Sequence, residues 1–152
     1  MAFKRLTWGV KESFRRYVEA AEGSITASDG ATRNDEGCFV FEARPGGDLA
    51  IAADGSATGA MRFQGAVTFE AHGGMLKTTL SDLAVEAGED GLALTAPHAL
   101  LKANRCEIAK LSVREAASDE AVLLSCEMTL DGTYQIADNY PPGTELDPVR
   151  LD

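Results

Sequence analysis

MRFQGAVTFEAH, residues 61–72, alternates apolar and polar side chains along most of its length. Met61, Phe63, Val67, Phe69 and Ala71 point one way, while Arg62, Gln64, Thr68, Glu70 and His72 point the other. A repeat of two marks a strand with one buried face, because successive side chains of extended backbone alternate sides. Gly73 and Gly74 then turn the chain into MLKTTLSDLAVEA, which reads as the next strand.

The same period returns on both sides. GSITASDGATRNDEGCFVFEA (23–43) and DLAIAADGSATGAMRF (48–63) read as hairpins, with Asp-Gly and Glu-Gly supplying turn chemistry. Further strands are expected at GLALTA, KLSVREA and EAVLLSCEMTL. PHALLKANRCEIAKL between them is ambiguous and fits a loop with a helical turn, and the tail DNYPPGTELDPVRLD reads as irregular because of its three prolines. One segment breaks the pattern. In LTWGVKESFRRYVEAAEGSI (6–25) the period is helical from Trp8 to about Ala21, with Leu6, Val10, Phe14, Tyr17, Val18 and Ala21 on one stripe. Thr7 is the expected N-cap, Gly23 the expected stop, and Arg15 and Arg16 lie off the stripe. The expected fold is therefore mainly β: an antiparallel β-sandwich-like domain with an N-terminal α-helix packed on it. At 152 residues there is material for one domain with a real core, spanning 1–152.

Composition narrows the function classes. A net charge of −10 argues against nucleic acid, whose phosphates demand a basic surface. Residues 1–20 are the exception: five cations against two carboxylates leave them at +3, and the rest of the chain at −13. That is the pattern of a solvated helix face or of a local anion site. No window approaches the ~18 unbroken apolar residues of a membrane span, and the first residues lack the apolar core of a secretory signal. A cytoplasmic location is expected, or a secreted or surface one if an upstream signal has been removed. Cys38, Cys106 and Cys126 are odd in number and lack C-x-x-C spacing, so they read as buried thiols of a reducing compartment. Phosphate-binding glycine loops, H-E-x-x-H and G-x-S-x-G are all missing. DGSATG lacks the spaced acidic ligands of a calcium loop.

WGVKESFRRY (8–17) resembles the opening motif W-G-V-K-x-S-F-R-x-Y of the HtaA-domain family of bacterial haem-binding proteins. The likeness continues in GSITASDGATR and the aromatic pair of GCFVF, in FQGAVTFEAHGGMLKTTLSD against F-x-G-x-V-x-F-x-x-H-x-G-x-L, and in the closing YPPGTELDPVRL. These landmarks stand in order over nearly the whole chain. The resemblance implies that Tyr17 is the axial ligand of ferric haem b and that His72 hydrogen-bonds its phenolate oxygen. It also implies that Ser13 contacts a propionate and that Tyr140 lines the pocket, although Asn139 stands where a second aromatic is expected. By residue physics alone, Tyr17 reads as a core tyrosine and His72 as a surface histidine at a strand end; the family motif reverses both readings.

The implied chemistry is coherent. A phenol titrates near ~10 in water, and both iron and a neighbouring hydrogen-bond donor favour its deprotonated form, a hard oxygen suited to Fe(III). The expected function is haem binding for transport, buffering or sensing. The alternative is an intracellular haem-dependent enzyme that activates peroxide or another small ligand on the open iron face. The expected partners are haem, a haem donor or acceptor protein and a second copy of the chain.

Overall fold

The computed structural model describes residues 3–98, 101, 103–118, 121–137 and 139–152. Its strands in chain order are β1 (Arg5–Trp8), β2 (Ser24–Ser28), β3 (Thr32–Arg33), β4 (Phe39–Ala43), β5 (Ala50–Ile51), β6 (Ala57–Thr58), β7 (Ala60–Gln64), β8 (Ala66–Ala71) and β9 (Leu76–Ser81). Then come β10 (Ala84–Gly88), β11 (Gly91–Pro97), β12 (Arg105–Ser118), β13 (Ala121–Met128) and β14 (Glu145–Leu151). Helix α1 is Glu12–Ala20 and helix α2 is Leu130–Gln135.

Eight strands pair in the order β1-β14-β13-β12-β11-β10-β7-β4, and β4 returns to β1 through Leu6↔Phe41 and Trp8↔Phe39. Every one of these pairings is antiparallel, so the sheet closes into a barrel. This corrects the sandwich expectation. Short strands at regular spacing suit either architecture, and the difference lies in one long-range event, the pairing of β1 with both β14 and β4. Closure leaves no open edge in this ring.

The run 61–72 is not one strand but two. It breaks at Gly65, where φ is +122° and a Cβ would lie 2.6 Å from the Ala31 Cβ. β7 stays in the barrel, whereas β8 leaves it for a three-stranded sheet, β2-β8-β9. The alternation survives the break: Met61, Phe63, Val67, Phe69 and Ala71 are all buried. The first expected hairpin is also re-partnered. The Asp29–Gly30 turn forms, but β2 pairs with β8 (Ile25↔Phe69) and β3 pairs with β4. The helical turn expected within PHALLKANRC falls partly outside the described residues, and from Arg105 onward the chain is strand.

The tail expected to be irregular ends in β14, a strand of the barrel wall. Pro148 is tolerated because the register with β13 shifts between Leu124 and Cys126, where a proline's missing N–H breaks no ladder bond.

The helix begins later than expected. Leu6 and Trp8 are buried members of β1, and Thr7 pairs with Val40 and Arg150, so Thr7 does not cap a helix. Val10, at φ +66°, ends the strand's course before Lys11 opens α1. Phe14 and Val18 are the buried face. Phe14 packs on Phe69 of β8 (ring centroids 5.0 Å), and Phe69 packs on Phe39 of β4 (5.8 Å), joining helix, small sheet and barrel.

At its C-terminus α1 closes with Gly23 N–H donating to Val18 O (2.9 Å) and Glu22 N–H to Glu19 O (3.3 Å). This double bond pattern needs a left-handed residue between helix and strand, and Glu22 takes it at φ +58°. A glycine there avoids the Cβ penalty, so Glu22→Gly is expected to raise stability by about 0.5–1 kcal/mol. A thermal melt showing no gain would contradict this.

Candidate functional site

Tyr17 stands on the shoulder of α1, beside the buried Phe14 and Val18, with 46% of its surface exposed. It is not a core tyrosine. Its Oη lies 2.6 Å from His72 Nε2, and the two rings are 5.7 Å apart. With Nε2 protonated, the imidazole donates to the phenol oxygen; in the other tautomer it accepts.

His72 reaches this position through backbone geometry. The last pair of the β8–β9 hairpin is Ala71↔Leu76, so residues 72–75 form the connection. His72, Gly73 and Gly74 all have positive φ (55°, 66° and 95°), and Met75 N–H closes the turn on His72 O. A histidine tolerates this region only at some cost. The two glycines that follow are the residues suited to extend it.

One helical turn before Tyr17 on the same side of α1, Ser13 Oγ lies 3.4 Å from Tyr140 Oη. The Tyr140 ring meets Phe14 edge-on at 6.3 Å, and Lys11 Nζ stands 5.8 Å from its centroid while donating to Glu145 O. Tyr140 is held from behind by Thr133 Oγ1, which donates to Tyr140 O (2.9 Å). Thr133 belongs to α2, whose N-cap is Thr129, accepting from Gly132 N–H. The four residues singled out in the sequence thus form two hydrogen-bonded pairs, Tyr17–His72 and Ser13–Tyr140, with one member of each on α1.

Sequence reasoning missed three parts of this neighbourhood. Helix α2 follows the expected strand EAVLLSCEMTL, and beyond Leu130 its residues were assigned to no element. Met75, 91% exposed, lies in the same turn as His72. Arg15, read as a solvated cation, is buried, and its Nη1 donates to Gly9 O and to Asp147 Oδ2, each at 2.6 Å. Arg16 pairs with Glu12 and Arg33 with Glu19, so most of the positive charge at this end of the chain is spent on internal pairs. Lys11, bonded to a neutral carbonyl, is the cation beside Ser13 and Tyr140.

The thiols belong to neither hydrogen-bonded pair. Burial pushes Cys38 and Cys106 up, and Cys126, in the core, is pushed up to about 12. The raised value means that the folded state prefers the protonated thiol. The preference is fully present below the ordinary 9.0 and is lost as pH climbs toward about 12. Iodoacetamide at pH 8 is therefore expected to leave Cys126 unmodified in the native chain, with mass spectrometry as the readout. Labelling of Cys126 ahead of Cys38 and Cys106 would contradict it.

A cavity of about 670 Å³ lies elsewhere, between the Asp54–Ser56 turn and the strands carrying Leu92 and Val113, and contains none of the four residues. No described helix is long and apolar enough to cross a membrane.

Fold and site together define a closed antiparallel barrel carrying, outside its wall, a helix-borne tyrosine bonded to a hairpin histidine. The family model for HtaA (Htaa) matches residues 4–152, and the chain belongs to that family. No curated protein matches it. Among solved structures, the N-terminal domain of HtaA from Corynebacterium glutamicum is similar at 26% identity and TM-score 0.77, over 99% of this chain and 96% of that one. The C-terminal domain of the same protein is similar at 25% identity and TM-score 0.72, over 98% and 95%. The Heme binding protein HtaB from Corynebacterium glutamicum shares the fold at 17% identity and TM-score 0.67, over 98% and 91%.

Proposed function

We propose that this chain binds ferric haem b at the outer face of α1, with the Tyr17 oxygen as axial ligand, and carries, buffers or senses it. The observation that carries the reading is the 2.6 Å contact between the half-exposed Tyr17 hydroxyl and His72 Nε2. A phenol placed for packing has no need of an imidazole at its oxygen on the protein surface. A phenol placed to bind Fe(III) does, because a donor at that oxygen favours the phenolate and fixes its direction. Membership of the HtaA family and the likeness in fold to a heme binding protein support the same reading.

The other residues fit the parts of the group. The Tyr140 ring, braced edge-on by the buried Phe14, offers apolar surface beside the ligand, and Ser13 Oγ, Tyr140 Oη and Lys11 Nζ offer polar contacts for propionates. When bound, haem supplies the iron centre and its spectrum; the chain supplies the oxygen, the donor that holds it and the walls. Exposure of Tyr17 and Met75 leaves the site open to a haem donor or acceptor protein.

Haemin titration of the purified chain, followed by absorption, tests the proposal. A saturable 1:1 Soret change with a high-spin ferric tyrosinate spectrum is expected, with affinity falling about 10- to 100-fold in His72→Ala, as for loss of a supporting hydrogen bond to a metal ligand. A weak, non-saturating response would overturn it.

A further inference from the structure

The two ends of the chain meet at one carboxylate. Asp147 in β14 binds residues 8–15 through four atoms. Its N–H donates to Val10 O (2.9 Å) and its carbonyl accepts from Trp8 Nε1 (2.8 Å). Its Oδ1 accepts from the Glu12 amide (3.1 Å) and its Oδ2 from Arg15 Nη1 (2.6 Å). Gly9 has no room for a side chain here: a Cβ would lie 2.3 Å from Arg15 Nη1 and 2.6 Å from Asp147 Oδ2.

We propose that Asp147 is a positioning residue for the haem ligand, capping α1 from a distant strand and setting the pose of the helix that presents Tyr17 and Ser13. The proposal rests on the haem reading above. Helix α1 has nine residues, too few to be stable alone, so its position is that of its attachments. Its own N-cap, Lys11, makes no side-chain cap bond, and the first-turn amides need an acceptor. Asp147 Oδ1 supplies one, and a carboxylate suits the positive end of the helix.

The second oxygen engages Arg15, one turn into the helix and two residues before Tyr17, so the carboxylate restrains rotation as well as translation. A small rotation about the helix axis would carry the Tyr17 oxygen away from His72. Seen this way, the opening W-G-V-K-E-S-F-R and the closing L-D-P-V are two halves of one clamp.

The test uses the full chain with Asp147→Asn, Asp147→Ala and Leu92→Ala, the last a destabilising control in β11. Asn keeps an acceptor for the Glu12 amide and loses the ion pair; Ala loses both. Three quantities are read: amide hydrogen exchange of residues 12–17 in the haem-free chain, the rate of haemin loss to a scavenger, and the iron–phenolate vibration by resonance Raman. Haemin loss is expected to quicken about threefold in Asp147→Asn, the scale of one charge at a helix end, and about tenfold in Asp147→Ala. Both variants should shift the vibration and deprotect residues 12–17, whereas Leu92→Ala should leave both at wild-type values. A wild-type rate and vibration in Asp147→Ala, or changes matched by Leu92→Ala at equal melting temperature, would overturn the proposal. A wild-type spectrum that does not depend on Tyr17 would sink the haem reading and this proposal together, and it is seen before any Asp147 variant is made.

Discussion

Tyr17→Phe is expected to abolish the ferric tyrosinate spectrum and to reduce haemin affinity by more than the ~10–100-fold typical of losing a supporting residue, because it removes the ligand atom itself. The substitution deletes one oxygen and keeps the ring, so the side chain's packing is preserved. Tyr17 is 46% exposed and its hydroxyl bonds a surface histidine, so the fold has little to lose. The net cost of such a bond is ~1 kcal/mol. The melting temperature of the haem-free chain should therefore stay within a few degrees of wild type while binding collapses. That split separates a ligand from a structural tyrosine. Equal titration curves and spectra for the two chains would eliminate Tyr17 as the ligand, whatever the family.

The second large effect is on the fold. Gly23→Ala is expected to cost about 3 kcal/mol, at the top of the range for overpacking, which is about 10 °C in melting temperature for a chain of this size. A Cβ at Gly23 would sit 2.1 Å from Glu70 O and 2.7 Å from Val18 O, both backbone atoms. Neither can swing away. Val18 O is already accepting from Gly23 N–H, and Glu70 lies in β8 paired with Ser24, so relief requires β2 and β8 to part. The same junction holds α1 against β8, the strand that leads into His72, so haemin binding should weaken in parallel. Gly88→Ala is the comparison: the nearest atom to its Cβ is 3.9 Å away, and it should be tolerated. Comparable melts for Gly23→Ala and Gly88→Ala would show that the β2–β8 contact yields more easily than its geometry implies.

Much of the local structure was legible in the sequence. The alternation through Met61, Phe63, Val67, Phe69 and Ala71 held on both sides of Gly65, because burial follows parity even where the strand changes sheets. Phe14 and Val18 were legible as a buried helix face for the same reason, at a period of 3.6. Arg15 was not. A periodicity argument assigns every arginine to solvent, and only a carboxylate 132 residues away makes its burial affordable. Tyr17 erred in the opposite direction: it falls on the apolar stripe, yet the stripe is wider than the surface that covers it. Pro148 hid β14, since a proline is discounted in a strand unless a bulge in the partner's register is known.

By itself, the sequence determined most of the extended segments, the helix that carries Tyr17, where left-handed turns are possible and which apolar side chains seek burial. These depend on neighbours within a few residues, and the chain carries that information at every position. Tertiary structure alone decided that β1 closes the ring between β4 and β14, that Asp147 caps a helix more than a hundred residues earlier, and that the Tyr17 oxygen meets His72 at 2.6 Å. Each of these joins groups far apart along the chain. Their approach is set by the summed packing of everything between them, which no local pattern encodes.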